Sequence, residues 1–188
     1  TAPRMSITSS MLWGCCGHNA SWPGCRWPRS DAVLSPSRLV IAMRESVQLD
    51  MNVMLRPHNE GFVYDEAAIQ QILADAAVLK TLDIQTLVFG AHRADGTLDI
   101  DLIQRVAEAA APVPLTVHRA LEWSSNPDDA LSALVSVAAR ILTSGPAPSA
   151  PEGIAGLRRW VDQYGEHFRF AAAGGVRLHN IREIADQT

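Results

Sequence analysis

The chain has 188 residues, 47% of them hydrophobic and 19% charged, with a formal net charge of -4. That length and composition suit one globular domain with a sizeable core. The negative balance argues against a protein that coats nucleic-acid phosphates. No apolar run reaches the roughly 18–20 residues of a membrane span, and three cysteines make no even disulfide framework.

Residues 1–33 stand apart from the rest. They hold all three cysteines (Cys15, Cys16, Cys25) and three of the five tryptophans (Trp13, Trp22, Trp27), with neither a helical nor a strand period. The run Ser21 to Ser30 reads as irregular chain. Cys15, Cys16 and Cys25, with His18, are weak candidates for a soft metal ion, because thiolates suit Cu(I) or zinc. Their spacing matches no standard zinc arrangement. The beginning lacks the apolar core and cleavage site of a secretory signal, so a cytosolic location is expected. The abrupt change of composition reads as a shifted reading frame or a misassigned start.

A domain is expected over 34–188. Ser35-Pro36 opens an amphipathic helix to about Ser46, with Leu39, Val40 and Met43 on one side. Met51 to Leu55 is a strand, followed by the polar loop Arg56-Pro57-His58-Asn59-Glu60-Gly61. Asp65 caps a helix carrying Ile69, Ile72, Leu73, Ala76 and Leu79 at helical spacing. Gln85 to Phe89 is a strand ending in Gly90-Ala91-His92-Arg93. Asp95-Gly96 turns the chain, and Asp99 caps a helix with Leu102, Ile103 and Val106 inward. Pro112 and Pro114 launch the strand Leu115-Thr116-Val117, and His118, Arg119 and Glu122 follow at once. Asn126-Pro127-Asp128-Asp129 caps the next helix, expected to run to about Ala138. Arg140 to Thr143 is a strand ending in Ser144-Gly145, and Pro151 opens a helix through Leu157, Trp160 and Val161. Phe168 to Ala172 is the last strand, ending in Gly174-Gly175, and Leu178 to Ala185 the last helix.

Strand and helix thus alternate five times, which implies α/β architecture with a parallel sheet and right-handed crossovers. No strand is followed by G-x-G-x-x-G, the dinucleotide fingerprint of doubly wound sheets. Polar groups end every strand, as in a ring of loops converging on one mouth. The expected fold is therefore of the (β/α)8 TIM-barrel type, incomplete, with about five β/α units present.

Chemistry in such a fold sits in the loops after the strands. His118 is a candidate acid, base or ligand, because imidazole titrates near neutral pH. Arg119 and Glu122 join it as candidate catalytic residues, with a structural Arg–Glu pair as the plain alternative. Arg56 is a natural anion clamp, because guanidinium grips carboxylate or phosphate bidentately. Ser144, Gly145, Gly174 and Gly175 could bind an anion through backbone N–H groups, or simply make tight turns. His92 is expected at the surface and Trp160 in the core.

Several of these stretches resemble the copper homeostasis protein CutC family. Met54-Leu55-Arg56-Pro57 with Gly61-Phe62-Val63-Tyr64 is similar to that family's arginine-proline, Gly-Asp-Phe and Tyr block. Val117-His118-Arg119-Ala120-Leu121 resembles its Phe-His-Arg-Ala-Phe-Asp block, with Glu122 where the family has Asp. Arg140 to Gly145 resembles its Leu-Thr-Ser-Gly block, Ala173 to Arg177 its glycine-rich block, and Leu34-Ser35-Pro36-Ser37 its Gly-Leu-Thr-Pro-Ser. The five blocks occur in the family's order over about 34–185. His58 stands where an arginine is usual, and Glu60 at or near a usual glycine. The family's Glu-Leu-Cys motif has no counterpart in 1–33, so Cys15, Cys16 and Cys25 do not inherit its cysteine roles.

The resemblance implies a (β/α)8 barrel, a cytosolic location and copper homeostasis, with Cu(I) as the implied metal. The residues themselves support a second reading, a barrel enzyme acting on a small phosphate or carboxylate metabolite. A third is a truncated chain without function. Expected partners are a small anionic ligand and a second copy of the chain, not nucleic acid or membrane.

Overall fold

The protein is described by a computed structural model over residues 36–46, 49–58 and 61–188. The expectations for Cys15, Cys16, His18, Cys25 and segment 1–33 fall outside these residues. Six α-helices and five strands alternate in order: α1 (Pro36–Ser46), β1 (Asn52–Met54), α2 (Glu66–Leu79), β2 (Thr86–Phe89), α3 (Ile100–Ala110), β3 (Leu115–Val117), α4 (Pro127–Leu134), β4 (Arg140–Thr143), α5 (Ile154–Tyr164), β5 (Arg169–Ala172) and α6 (Ile181–Gln187). The sheet is parallel throughout and its spatial order is the chain order, β1-β2-β3-β4-β5. A doubly wound sheet reverses its strand order at a switch point. This one never does, which is how a barrel wall is built.

The register gives the two faces of the sheet different work. Leu87, Phe89, Leu115, Val117, Ile141 and Phe170 point one way and share a core with Ile72, Leu79, Ile103, Leu131, Leu134 and Trp160 from the helices. Asn52, Thr86, Thr116, Arg140 and Arg169 share the other face, where Thr86 and Thr116 hydroxyls bond at 2.7 Å. Continuing that alternation puts Arg56, Gly90, His118 and Ser144 on this polar face at the C-terminal end of the sheet.

Several ends are set by tertiary contacts rather than by local pattern. Asp65 and Asp99 cap α2 and α3 as expected, accepting from Ala68 N–H at 2.8 Å and Leu102 N–H at 3.1 Å. Such caps contribute about 1 kcal/mol each. Helix α4 stops at Leu134, not near Ala138, because Ala139 N–H is already bonded to Leu115 O at 2.9 Å, starting the approach to β3. Helix α5 begins at Ile154, not at Pro151: a turn at 150–153 brings Gly153 against Ser144 O, where any Cβ would collide. Helix α6 begins at Ile181, not at Leu178, because Asn180 ties the preceding turn, accepting from Arg177 N–H at 2.7 Å and donating to Gly175 O at 3.0 Å. Asn126 starts α4 without a side-chain cap.

Candidate functional site

Two neighbouring constellations occupy the C-terminal end of the sheet. The first surrounds His118, the residue after β3. Its imidazole is buried against Gly90 at the end of β2, so closely that a Cβ on that glycine would lie 2.7 Å from His118 Cε1. Nδ1 accepts from Ala120 N–H at 3.1 Å, capping a 3-10 turn over Arg119–Trp123. An accepting Nδ1 puts the proton of the neutral ring on Nε2. That Nε2 is buried and has no partner. Burial first, and then the Arg56 charge, push the imidazole's pKa down to about 3, so the ring stays neutral at physiological pH.

Above it, the loop after β1 brings Arg56, Phe62 and Tyr64 together. Arg56 donates from Nε to His58 O at 3.0 Å and lays its guanidinium over the Phe62 ring, 4.7 Å from the centroid. Phe62 packs 4.8 Å from His118 and 5.6 Å, edge-on, from His92. Tyr64 is buried between His58 at 5.1 Å and Phe89 at 5.8 Å, with its hydroxyl lacking a partner. Desolvation raises the phenol to about 12, with Arg56 opposing. His92, expected at the surface, is half-buried, its Nε2 bonded to Ala120 O at 2.7 Å.

The second constellation is a brace. Glu122, with 3% of its side chain exposed, meets Arg119 Nε at 2.8 Å and Ser144 Oγ at 2.9 Å on one oxygen. Its other oxygen takes Thr143 Oγ1 at 2.7 Å and the Ser144 N–H. Four donors around one carboxylate form a closed shell. Arg119 Nη2 reaches on to Ser144 Oγ at 2.8 Å and Pro148 O at 3.0 Å, and its Nη1 lies where a Cβ on Gly174 would collide. The Gly145 N–H goes to Thr143 Oγ1 at 3.0 Å. The structure therefore brings Arg119, Glu122, Ser144, Gly145 and Gly174 together as the sequence suggested. It engages both oxygens of Glu122 and the N–H groups of Ser144 and Gly145 within the protein. Gly175 sits beyond the brace, against Ser149.

Tyr64 is the member that sequence reasoning left out. Its signal in the sequence was its place in the family-like Gly61-Phe62-Val63-Tyr64 block. Among the described residues, no three His, Cys, Asp or Glu side chains converge as metal ligands. No helix there is long and apolar enough to cross a membrane.

Comparison with known proteins gives a consistent result. The model of the CutC family matches residues 25–188. A CutC family protein from Mesorhizobium japonicum is 37% identical over 150 residues, covering 79% of this chain and 58% of that protein. A human copper homeostasis protein cutC homolog is 32% identical over 159 residues, covering 84% of this chain and 58% of that one. The chain thus spans about six-tenths of the length of these curated relatives. A crystal structure described as a copper homeostasis protein CutC from Streptococcus agalactiae superposes with a TM-score of 0.72 at 23% identity, covering 81% of this chain and 74% of that one.

Proposed function

The chain belongs to the CutC family, and from that premise we propose that it serves copper homeostasis in the cytosol through a pocket that binds a small anion at Arg56, His118 and Tyr64. The names of the human and mouse relatives support the copper link. The anion rests on one observation. The His118 Nε2–H and the Tyr64 hydroxyl are both buried without partners, and both lie within the field of Arg56. Leaving a buried donor unsatisfied costs about 1–3 kcal/mol each, and an anion that accepts from either donor relieves its share of that cost. A guanidinium beside two buried donors that lack partners suits phosphate or carboxylate.

Arg56 supplies the charge, His118 and Tyr64 fix the orientation, and Phe62 shields the set from water. The ring of His118, neutral with its proton on Nε2, donates a hydrogen bond. A general-acid role for it would need substrate at that same nitrogen. Arg119 and Glu122 hold the loops after β3 and β4 in register beneath this pocket.

Copper binding at Cys15, Cys16 and Cys25 is the second reading, favoured by the affinity of thiolates for Cu(I) and not by the family resemblance. One set of titrations separates them. Phosphate and acetate binding, read by calorimetry, is expected to disappear in Arg56→Ala and to survive replacement of the three cysteines by serine. Cu(I) bound stoichiometrically and lost on cysteine replacement, with no anion binding in the intact chain, reverses that assignment.

A further inference from the structure

The opposite, N-terminal end of the sheet carries a basic feature of its own. Arg140 opens β4 and Arg169 opens β5, and the register sets them directly opposite each other. They share the polar face with Asn52, Thr86 and Thr116. That face is concave. Arg140 Nη1 donates to Asn52 Oδ1 at 3.4 Å although β2 and β3 lie between their strands, a separation of about 14 Å in a flat sheet. Thr86 and Thr116, their hydroxyls bonded to each other at 2.7 Å, line the wall between.

Two like charges facing each other on neighbouring strands repel. Burial first, and then the Arg169 charge, lower the pKa of Arg140 from the usual guanidinium value. Arg44, Arg93, Arg119, Arg158 and Arg159 each meet a carboxylate, yet no acid among the described residues forms an ion pair with Arg140 or Arg169. Arg169 is exposed and Arg140 half-buried, so a ligand from solvent reaches both. Each planar guanidinium fork matches one planar carboxylate. Asn52 draws Arg140 toward β1, on the side of β4 away from β5 and Arg169. Two offset forks suit two carboxylates on a short chain better than one compact anion.

We propose that Arg140 and Arg169 form a second ligand site, on the concave face at the N-terminal end of the sheet, for a short-chain dicarboxylate that sets one carboxylate on each guanidinium. The ligand neutralises both charges and removes their repulsion. Arg56 and His118, at the other end of the sheet, take no part in it.

Nitrogen-15 NMR of the arginine- and histidine-labelled whole chain tests the site. The Nε–H resonances of Arg140 and Arg169, assigned with Arg140→Gln and Arg169→Gln, are followed during titration with succinate and with propionate at constant ionic strength. Melting curves establish that each variant is folded. Both resonances are expected to move with succinate along one binding curve. Propionate, with a single carboxylate, is expected to act about tenfold more weakly, as is succinate on Arg140 in Arg169→Gln; that is the fold-change of about one charge-assisted hydrogen bond. Resonances that stay still with succinate, a propionate response equal to it, or undiminished succinate binding in Arg169→Gln overturns the inference. Acetate acting on the His118 resonance reports the pocket separately in the same samples, so either site can fail while the other stands.

Discussion

Replacing Glu122 by Gln is the sharpest test of the brace beneath the pocket. The substitution keeps the shape and removes one acceptor. Whichever way the amide is turned, its NH2 group meets a donor that cannot become an acceptor: the Ser144 N–H on one side, or Arg119 Nε–H on the other. The hydroxyls of Thr143 and Ser144 can rotate to accept, so the damage is confined to one fixed clash and the lost charge. Hydrogen bonds to charged groups contribute about 1.5–3 kcal/mol, and breaking one partner of a buried pair costs about 3–5 kcal/mol. With Arg119 still 25% open to water, about 3–4 kcal/mol is expected. In a chain of this size that lowers Tm by about 6–15 °C. Far-UV circular dichroism melts of Glu122→Gln, Arg119→Met and the double variant measure it, with a coupling of about 2 kcal/mol predicted between the two sites. A Glu122→Gln protein melting within about 1 kcal/mol of wild type, or additive single variants, refutes the brace.

Three further outcomes follow from the same contacts. Gly90→Ala puts a methyl 2.7 Å from His118 Cε1 and 2.8 Å from Nδ1, so it is expected to displace the ring, cost about 1–3 kcal/mol and weaken acetate binding in the same calorimeter; unchanged affinity contradicts the placement of His118. Acid denaturation carries His118's signature. Between pH 6.5 and about 3 the unfolded chain takes up a proton that the folded ring refuses, so stability falls with acid by up to about 1.4 kcal/mol per pH unit. Urea titrations at stepped pH should show a shallower fall for His118→Gln, and parallel profiles argue against a buried neutral ring. Asp128→Ala removes the acceptor for Trp160 Nε1 at 2.7 Å and for Arg159 at 3.0 Å, leaving a buried indole N–H unpaired; a loss of about 1–3 kcal/mol is expected in chemical denaturation.

The fold was readable because local signals agreed with one another. Asp65 and Asp99 start their helices where the capping pattern says. Strands β3 and β4 run from Leu115 to Val117 and from Arg140 to Thr143 as the β-branched runs suggest. Helix ends were less legible wherever a distant backbone decides them, as Leu115 O does for α4 and Ser144 O for α5. The site divides the same way. Arg56 and His118 are visible as polar residues closing apolar strands. Nothing local shows that Glu122 belongs to Thr143 and Ser144 rather than to a substrate, because the register of β3 on β4 sets that meeting. Tyr64, visible only as part of a family-like block, was not read as a donor for a related reason. An aromatic residue in a loop becomes a donor only when the loop's landing place is known.

The central claim is that His118 holds a buried, neutral imidazole whose Nε2–H is available to an anion. Nitrogen-15 NMR of histidine-labelled protein tests it most directly. The account predicts the Nε2–H tautomer, unprotonated from pH 8 down to 5, with its Nε2–H resonance moving on addition of acetate or phosphate in wild type and staying still in Arg56→Gln. An Nδ1–H tautomer, a titration near pH 6.5, or a resonance indifferent to both anions in wild type contradicts the account.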